Sequence, residues 1–445
     1  MGGEKLGRFS FIGSCPYKII SCNADKGDPL TLIEKEMEKI KYIGLNEIPN
    51  FTGGAIGYIS YDCVRVFEPK IKDNIPHLKD GLGIPDALLM FCDTIVVFDH
   101  LFQTLRIISH VFSTKDEVLS ESYARAVDKI QKNLEILEKD VVPLPSQDPI
   151  TLGYESVSNV GKDGYESFVK ALKHFIVEGD IIQAVPSQRI KKKTDLHPFN
   201  AYRMLRSVNP SPYMFYMNFN NEFQFVGASP EMLVKVAKNT VYTHPIAGTR
   251  KRGMTPSQDD ELAADLIADL KERSEHIMLV DLGRNDINRV CDPNTVKVDS
   301  LMHIERYSHV MHLVSNVSGK LRKDKTSFDA FRSVFPAGTV SGAPKIRAME
   351  IVYSLEKEKR GIYAGSVGYF SFNGDLDTCI AIRTMLFKDK HVYLQAGGGI
   401  VYDSVPEDEY EETLNKLRSN VTAIEKAEQF YHNITHQSKN LNIQI

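Results

Sequence analysis

Apolar and polar positions alternate with period two in LGRFSFIG (6–13) and YKIIS (17–21), which predicts strands almost from the first residue. Residues 30–40 have the spacing of an amphipathic helix, and GGAIGYISYD (53–62) reads as a glycine-rich strand that allows close backbone approach. Two or more buried strands follow in ALLMFCDTIVVFDH (87–100) and TLRIISHVF (104–112), then a long charged helix over 114–140 with Thr114 and Glu117 as a capping box. The Pro-containing VVPLPSQDP (141–149) opens a linker over 141–160. Beyond it Tyr165, Phe168, Val169, Leu172, Phe175 and Ile176 make the wide apolar face of a helix. The remainder predicts a strand at 181–190, a short helix at 199–207, the turn NPSP (209–212), strands over 213–226 and a helix over 256–289. Strands to 318, helices near 328 and over 345–358, strands over 363–400 and a helix from 406 to about 430 complete it, with a frayed tail after Tyr431. Several consecutive strands without intervening helices argue for an α+β plan of antiparallel sheets with helices outside. The predicted organisation is an N-terminal region over 1–140, the linker, a second domain over 161–430 and a tail over 431–445.

Composition narrows the partners. In 445 residues, 54 Lys and Arg stand against 58 Asp and Glu, and a net charge of −4 gives no reason to expect nucleic acid or a membrane surface. The six cysteines (Cys15, Cys22, Cys63, Cys92, Cys291, Cys379) form no CxxC pair, and no apolar run approaches the roughly 20 residues of a membrane span. The first twelve residues hold no signal-peptide core, so the expected setting is reducing and cytoplasmic. The N-x-S/T triplets at Asn50, Asn316, Asn420 and Asn433 are then chance matches.

Candidate chemistry begins in KERSEHIMLVDLGRNDINRV (271–290). Glu272 and Glu275, spaced i, i+3, leave one helix face about 5–6 Å apart at Cβ. A wet surface helix is the ordinary reading. A second pair of the same spacing, Glu409 and Glu412, follows Ser404 and Pro406 with Glu407 at a capping-box position, and two such helices could hold a hard cation of the Mg²⁺ kind. PAGTVSGAPK (336–345) lacks Walker A spacing, and QAGGGIVYD (395–403) does not fit G-x-G-x-x-G. Gly397, Gly398 and Gly399 could expose bare N–H groups to a carboxylate or form a tight turn. Arg383, alone among apolar residues on a predicted central strand, needs a carboxylate from the protein or a substrate. Taken singly, His312 is a core histidine and Glu231 an exposed acid at a helix start.

Taken together, FVGASPE, PIAGT, SEHIMLVDLGRND, HVMHLVS, PAGTVSGAPK, YAGSVGYF, IAIRT, AGGGIVYDS and EDEYEET stand in one order. That series closely resembles the chorismate-utilising enzymes, and within them the large-subunit branch of the anthranilate synthases. The resemblance implies antiparallel sheets packed face to face. It also implies Mg²⁺ held by Glu275 and Glu412, with Glu272 and Glu409 as their second carboxylates. Tyr363, Arg383 and the Gly397, Gly398 and Gly399 backbone would hold the enolpyruvyl carboxylate of chorismate, with Gly248 and Thr249 of PIAGT also at the substrate. Glu231 matches the general acid for the departing 4-hydroxyl and His312 the histidine of the second, aromatising step; Gln183 and Thr249 join them as catalytic candidates.

Within the family, relatives that deliver water have Lys in place of Gln183, and aminodeoxychorismate synthases have a nucleophilic Lys in place of Ala247. Ammonia is the remaining nucleophile. None of the six cysteines lies in a G-x-C-x-G elbow, so a separate glutamine amidotransferase subunit, or free ammonium, is the expected source. The rival readings are an aminodeoxychorismate synthase and a non-catalytic scaffold for an amidotransferase. The family's tryptophan pocket joins an N-terminal LLES strand to the turn Asn209, Pro210, Ser211, Pro212, Tyr213 and Met214, with Cys379 at its border. No such strand precedes GGEKLGRFSFIG, so the N-terminal region reads as truncated and the tryptophan site as partial.

Overall fold

The computed structural model describes residues 7–45, 48–72, 78–114, 117–307 and 310–441. Its ladders are antiparallel throughout the named strands. The larger sheet has ten strands. In spatial order nine of them are Ile246–Lys251, Val310–Lys320, Thr240–Thr243, Met232–Ala237, Leu376–Ile380, Ser366–Ser371, Gly54–Ile59, Ala87–Cys92 and Lys18–Cys22, and Lys297–Arg306 also pairs with Val310–Lys320. The six-stranded sheet runs Tyr213–Phe219, Phe223–Ser229, Thr384–Lys388, His391–Gly397, Ser187–Lys193 and Ser156–Ser158. Phe9–Gly13, Thr94–Asp99 and Thr104–Ser109 form a small third sheet. The larger sheet thus takes three strands from before the 141–160 stretch and seven from after it.

Period-two alternation decides how these layers stack. In Gly54–Ile59, Ala55 and Ile59 join one apolar cluster while Ile56 and Tyr58 join another; Leu89 and Phe91 divide from Leu88 and Met90 in the same way. The Tyr58 side meets Met217, Phe219, Phe223, Phe225 and Leu386 of the six-stranded sheet, with the Tyr58 and Phe225 rings edge to face at 4.8 Å. The Ala55 side is covered by helices through Leu30, Ile33, Val280, Ile287, Phe328, Phe331, Met349 and Tyr353. The outer face of the six-stranded sheet is covered by Ala201, Leu205, Leu417 and Ile424 from Pro198–Val208 and Pro406–Leu441. This is the expected α+β plan, two antiparallel sheets face to face between helices. Gly57 permits it locally, since a Cβ there would lie 2.0 Å from the Leu88 carbonyl oxygen. No helix of the described residues is long and apolar enough to cross a membrane.

Several expected elements differ. The helix expected over 114–140 begins at Leu119, its N-cap Val118 makes no side-chain bond, and the Thr114 and Glu117 capping box does not form. The helix expected over 256–289 is two helices, Pro256–Ala268 and Leu270–Asn288. They break at Asp269, whose Oδ1 accepts from the Lys271 and Glu272 N–H groups at 2.9 and 3.1 Å. Glu272 therefore lies in the first turn of a new helix, where the dipole favours negative charge. The closing helix continues to Leu441, and beyond Phe430 the chain is tied down by Tyr431 Oη donating to Asn200 Oδ1 at 2.9 Å and by a 2.9 Å contact of His432 Nδ1 with the Ile150 carbonyl.

Behind the site described below, Arg360 is 1% exposed. Its Nε and Nη2 donate to Glu356 at 2.8 Å each, and it also donates to the Val340 and Val185 carbonyls at 3.0 and 2.6 Å. Glu356 Oε1 accepts from the Ser187 N–H and hydroxyl at 2.7 and 2.8 Å, so one ion pair ties Lys345–Glu356 to Ser187–Lys193. Removing one partner of such a pair leaves a buried charge and costs about 3–5 kcal/mol. Arg360→Met is expected to lower the melting temperature by several degrees, with Arg360→Met/Glu356→Leu recovering part of the loss. An unchanged thermal melt for Arg360→Met would remove this pair from the supports of the fold.

Candidate active site

The strand His391–Gly397 runs into three glycines, the first hard against backbone and the other two where a Cβ would displace the Glu409 and Gln183 side chains. A Cβ on Gly397 would lie 2.2 Å from the Pro186 carbonyl oxygen, on Gly398 2.9 Å from Glu409 Oε2, and on Gly399 2.2 Å from Gln183 Nε2. Gln183 Nε2 in turn donates to Glu275 Oε1 at 3.3 Å. The two acid-bearing helices, far apart in sequence, thereby converge on one backbone segment. Lys416 closes the arrangement by donating to the Gly397 carbonyl at 2.9 Å and pairing with Glu412 at 2.5 Å. The Gly398 N–H is not bare as expected; it donates to Tyr165 Oη at 3.1 Å.

Around this segment the carboxylates are held individually. Glu272 accepts from Arg250 Nη1 at 3.2 Å and lies beneath Gly248, which has φ +70° and whose Cβ would stand 3.0 Å from Glu272 Oε2. Burial raises the Glu272 pKa, Arg250 opposes this, and Glu275 raises it further. Ser404 does not cap the closing helix with Glu407 at N3. The helix starts at Pro406, Ser404 Oγ donates to Glu409 Oε1 at 2.6 Å, and Glu407 pairs with Lys162 at 2.7 Å. Burial raises the Glu409 pKa as well, with Glu412 adding to it. Glu409 Oε2 is buried with no hydrogen-bond partner. Lys271, paired with Asp403 at 3.0 Å, also feels Glu409 and Glu275. An orphaned carboxylate oxygen among clustered acids suits a hard divalent cation. Among the described residues no three of these glutamates bring oxygens within 4.8 Å of one another.

Glu231 is neither exposed nor at a helix start. It lies between the strands Phe223–Ser229 and Met232–Ala237, 8% exposed, with Oε1 accepting from Thr339 Oγ1 at 3.0 Å. Burial pushes its pKa up to about 8 against the opposing pull of Thr339, Arg383 and Lys416, so it carries a proton at neutral pH. His312 lies on Val310–Lys320, directly across the ladder from Thr249. Its Nδ1 is 3.2 Å from the Gly248 carbonyl and 3.0 Å from Thr249 Oγ1. With the proton assigned to Nδ1 both contacts are met, and Nε2 is left as the basic atom. Burial lowers the His312 pKa, which keeps the ring neutral.

Arg383 is not on a strand. It has φ +53° and precedes Thr384–Lys388, half-buried. Its guanidinium makes no ion pair or hydrogen bond with any described residue, although Tyr363, Glu231 and Glu412 are near enough to act on its charge. Tyr363 is buried, its hydroxyl 3.0 Å from where a Cβ of Gly397 would be, and its pKa is pushed up to about 12 by burial. A desolvated cation without a protein partner is a receptor for an external anion.

The residues of the expected tryptophan pocket gather elsewhere. Asn209 ends Pro198–Val208, Ser211 is buried, and Met214 packs under the six-stranded sheet's outer face. Tyr213 Oη donates to Asp377 Oδ1 at 2.8 Å and feels Cys379, which is buried between the sheets. The Pro212 carbonyl lies 4.0 Å from where a Cβ of Gly7 would be. Sequence reasoning did not assign Lys416, Thr339, Tyr165 or Arg250. Lys416 stands i+4 from Glu412, a signal that was present, and Thr339 lies inside the PAGTVSGAPK motif.

A family model described as chorismate binding enzyme matches residues 4–422. A protein of Schizosaccharomyces pombe named "Probable anthranilate synthase component 1" is 58% identical over 430 residues, covering 96% of this chain and 87% of its own. The anthranilate synthase component 1 of Saccharomyces cerevisiae is 55% identical, covering 97% and 86%. The crystal structure of anthranilate synthase component I from Streptococcus pneumoniae superposes with a TM-score of 0.82 at 37% identity, covering 94% and 93%. With a fold, a site and an extended sequence match in agreement, the chain belongs to the chorismate binding enzyme family.

Proposed function

We propose that this chain is the large subunit of an anthranilate synthase, a Mg²⁺-dependent lyase that converts chorismate and ammonia to anthranilate and pyruvate in the tryptophan branch of aromatic amino-acid synthesis. The observation that carries the reading is the unpartnered Arg383 guanidinium near a carboxyl, Glu231, that keeps its proton at neutral pH. Arg383 and Tyr363 hold the enolpyruvyl carboxylate at the Gly397, Gly398 and Gly399 backbone. Glu275 and Glu412, with Glu272 and Glu409 as second carboxylates, hold Mg²⁺. When bound, the ion neutralises the ring carboxylate of the substrate. The buried Glu409 Oε2, with no hydrogen-bond partner, supports a hard cation at these acids.

Ammonia forms the new bond to C2 as the C4–O bond breaks. Glu231 gives its proton to the departing oxygen, which leaves as water. His312, neutral and with Nε2 free as a base, takes the C2 proton in the second step; that C–H electron pair completes the aromatic ring as the C3–O bond breaks, and the enolpyruvyl group leaves as an enolate that gains a proton at its methylene carbon to become pyruvate. Thr249 aligns the imidazole. Gln183, an amide committed to Glu275, cannot take a proton from water, which favours ammonia as nucleophile. Ala247 offers no amine for the aminodeoxychorismate route. Ammonia comes from a separate glutamine amidotransferase subunit, a reading supported by the name component 1 that the relatives carry. The cluster of Asn209 to Met214 with Cys379 is the matching candidate for tryptophan. A chain with six unpaired cysteines belongs in the reducing cytoplasm.

Incubation with chorismate, ammonium and Mg²⁺ is expected to give anthranilate fluorescence and one pyruvate per anthranilate. Accumulation of a non-aromatic amine without pyruvate would instead assign the aminodeoxychorismate reaction. Glu275→Ala should reduce Mg²⁺-dependent turnover by about a thousandfold or more while leaving the melting temperature nearly unchanged; full activity would take Glu275 out of the metal site.

Glu231→Gln should lower kcat about 10²–10⁴-fold, and the parent's kcat should decline as pH rises through about 8, where Glu231 loses its proton. The same group sets a stability trend. Because its folded pKa is raised, its contribution is complete below about 4.5 and is lost as pH climbs to about 8. Glu231→Gln escapes that loss, so its melting temperature should overtake the parent's between pH 5 and 8 by a margin on the order of a few degrees. Parallel melting curves at all pH values would show that Glu231 is not held protonated.

A further inference from the structure

Away from the glutamates, His244 lies in the two-residue break between Thr240–Thr243 and Ile246–Lys251, which both pair with Val310–Lys320, and His303 and Glu305 stand two apart on Lys297–Arg306, on one face of that strand. Their ligand atoms all lie within 4.8 Å of one another, and among the described residues they are the one such group. Glu305 Oε1 is 3.3 Å from His303 Nε2 and 3.9 Å from His244 Nε2. In a tetrahedral site with bonds of about 2.0–2.1 Å, donor atoms stand roughly 3.3–3.5 Å apart. The Glu305–His303 edge is already that length and the Glu305–His244 edge is 3.9 Å.

The surroundings orient these donors as a metal's outer partners do. Tyr307 Oη donates to Glu305 Oε2 at 2.9 Å. His303 Nδ1 is 3.4 Å from Ser300 Oγ, which accepts from Asn316 Nδ2 at 2.7 Å, so a proton on Nδ1 leaves Nε2 as a donor atom. A second observation comes from His276. It is fully buried, its Nε2 contacts Ser315 Oγ at 2.6 Å, and its Nδ1 has no hydrogen-bond partner. It lies near enough to His303 and His244 for the three rings to act on one another's charge. Neutral imidazole, with one ring nitrogen free, is the form that binds metal.

We propose that His244, His303 and Glu305 form a binding site for a borderline divalent transition metal of the Zn²⁺ class, separate from the hard-cation glutamates. His303 is the most exposed of the three side chains, at 36% against 18% for His244 and 7% for Glu305, so the remaining coordination position opens toward solvent on its side. Two imidazoles and a carboxylate are a donor set that Zn²⁺ prefers and Mg²⁺ does not. Glu305 is also the ladder partner of His312, and the Tyr307 ring centroid is 5.6 Å from that of His312. A cation on Glu305 therefore acts on the imidazole used as base, a consequence that rests on the proposed function while the site itself does not.

The test strips the full chain of metal with a chelator, removes the chelator, and titrates Zn²⁺ calorimetrically and Co²⁺ by its visible d–d absorption, both in excess Mg²⁺. One ion per chain is expected, with a four- or five-coordinate Co²⁺ spectrum. Affinity should fall at least about a hundredfold in His303→Ala, His303→Asn and Glu305→Gln, and stay at the parent value in Glu275→Gln and in the exposed-site control His100→Ala. His303 is partly exposed, and circular dichroism checks that its variants remain folded. No stoichiometric binding in excess Mg²⁺, or binding unchanged in the His303 variants, overturns the site. Chorismate turnover by the stripped chain with Mg²⁺ alone tests the proposed function separately.

Discussion

Everything at the site depends on the backbone of Gly397, Gly398 and Gly399 being bare. A Cβ on Gly399 would be 2.2 Å from the Gln183 amide, and one on Gly398 2.9 Å from a Glu409 oxygen. Side chains from two helices more than a hundred residues apart can approach one segment of chain only where that segment has no side chains of its own. The strand that leads into the glycines is held within the six-stranded sheet between Thr384–Lys388 and Ser187–Lys193, and the latter is anchored at Ser187 by Glu356, the buried partner of Arg360. The rigidity of the layers is thus converted into the positions of the acids.

Those acids make the site electrostatically costly, and the protein offsets the cost unevenly. Glu272 has Arg250 and a helix N-terminus, Glu275 has the Gln183 amide, and Glu412 has Lys416, but one oxygen of Glu409 has nothing. Arg383 has no ion-pair partner either, while Glu231 is buried deeply enough to remain a neutral acid. Under the proposed function, a substrate carboxylate would meet the Arg383 charge and a cation the Glu409 oxygen. A surface selected for stability alone would have removed them.

The ten-stranded sheet carries a second, chemically different group of side chains able to ligate a metal. Oxygen donors from helices face the glycines, whereas imidazoles with one carboxylate gather at the ladder of Lys297–Arg306 and Val310–Lys320. Their separation follows from strand alternation, because His303 and Glu305 share one face of their strand. The two donor sets differ in softness, so cations of different character would sort between them.

The element order and the α+β class were legible because alternation and helical periodicity are local properties: Ala55 with Ile59 and Ile56 with Tyr58 divide between two faces whatever the rest of the chain does. The glutamate pairs were legible for the same reason, as i, i+3 spacing survives any packing. The break at Asp269, the buried place of Glu231 outside any helix and the left-handed backbone of Arg383 were not. Each depends on what arrives from another part of the chain: Thr339 at Glu231, Arg250 at Glu272, Tyr165 at Gly398. Sequence by itself determined the layers, the family resemblance and the list of chemically able residues. Tertiary structure alone decided which of them keep a proton, which lack a partner and which come into contact, because burial and charge proximity are set by atoms distant in the chain.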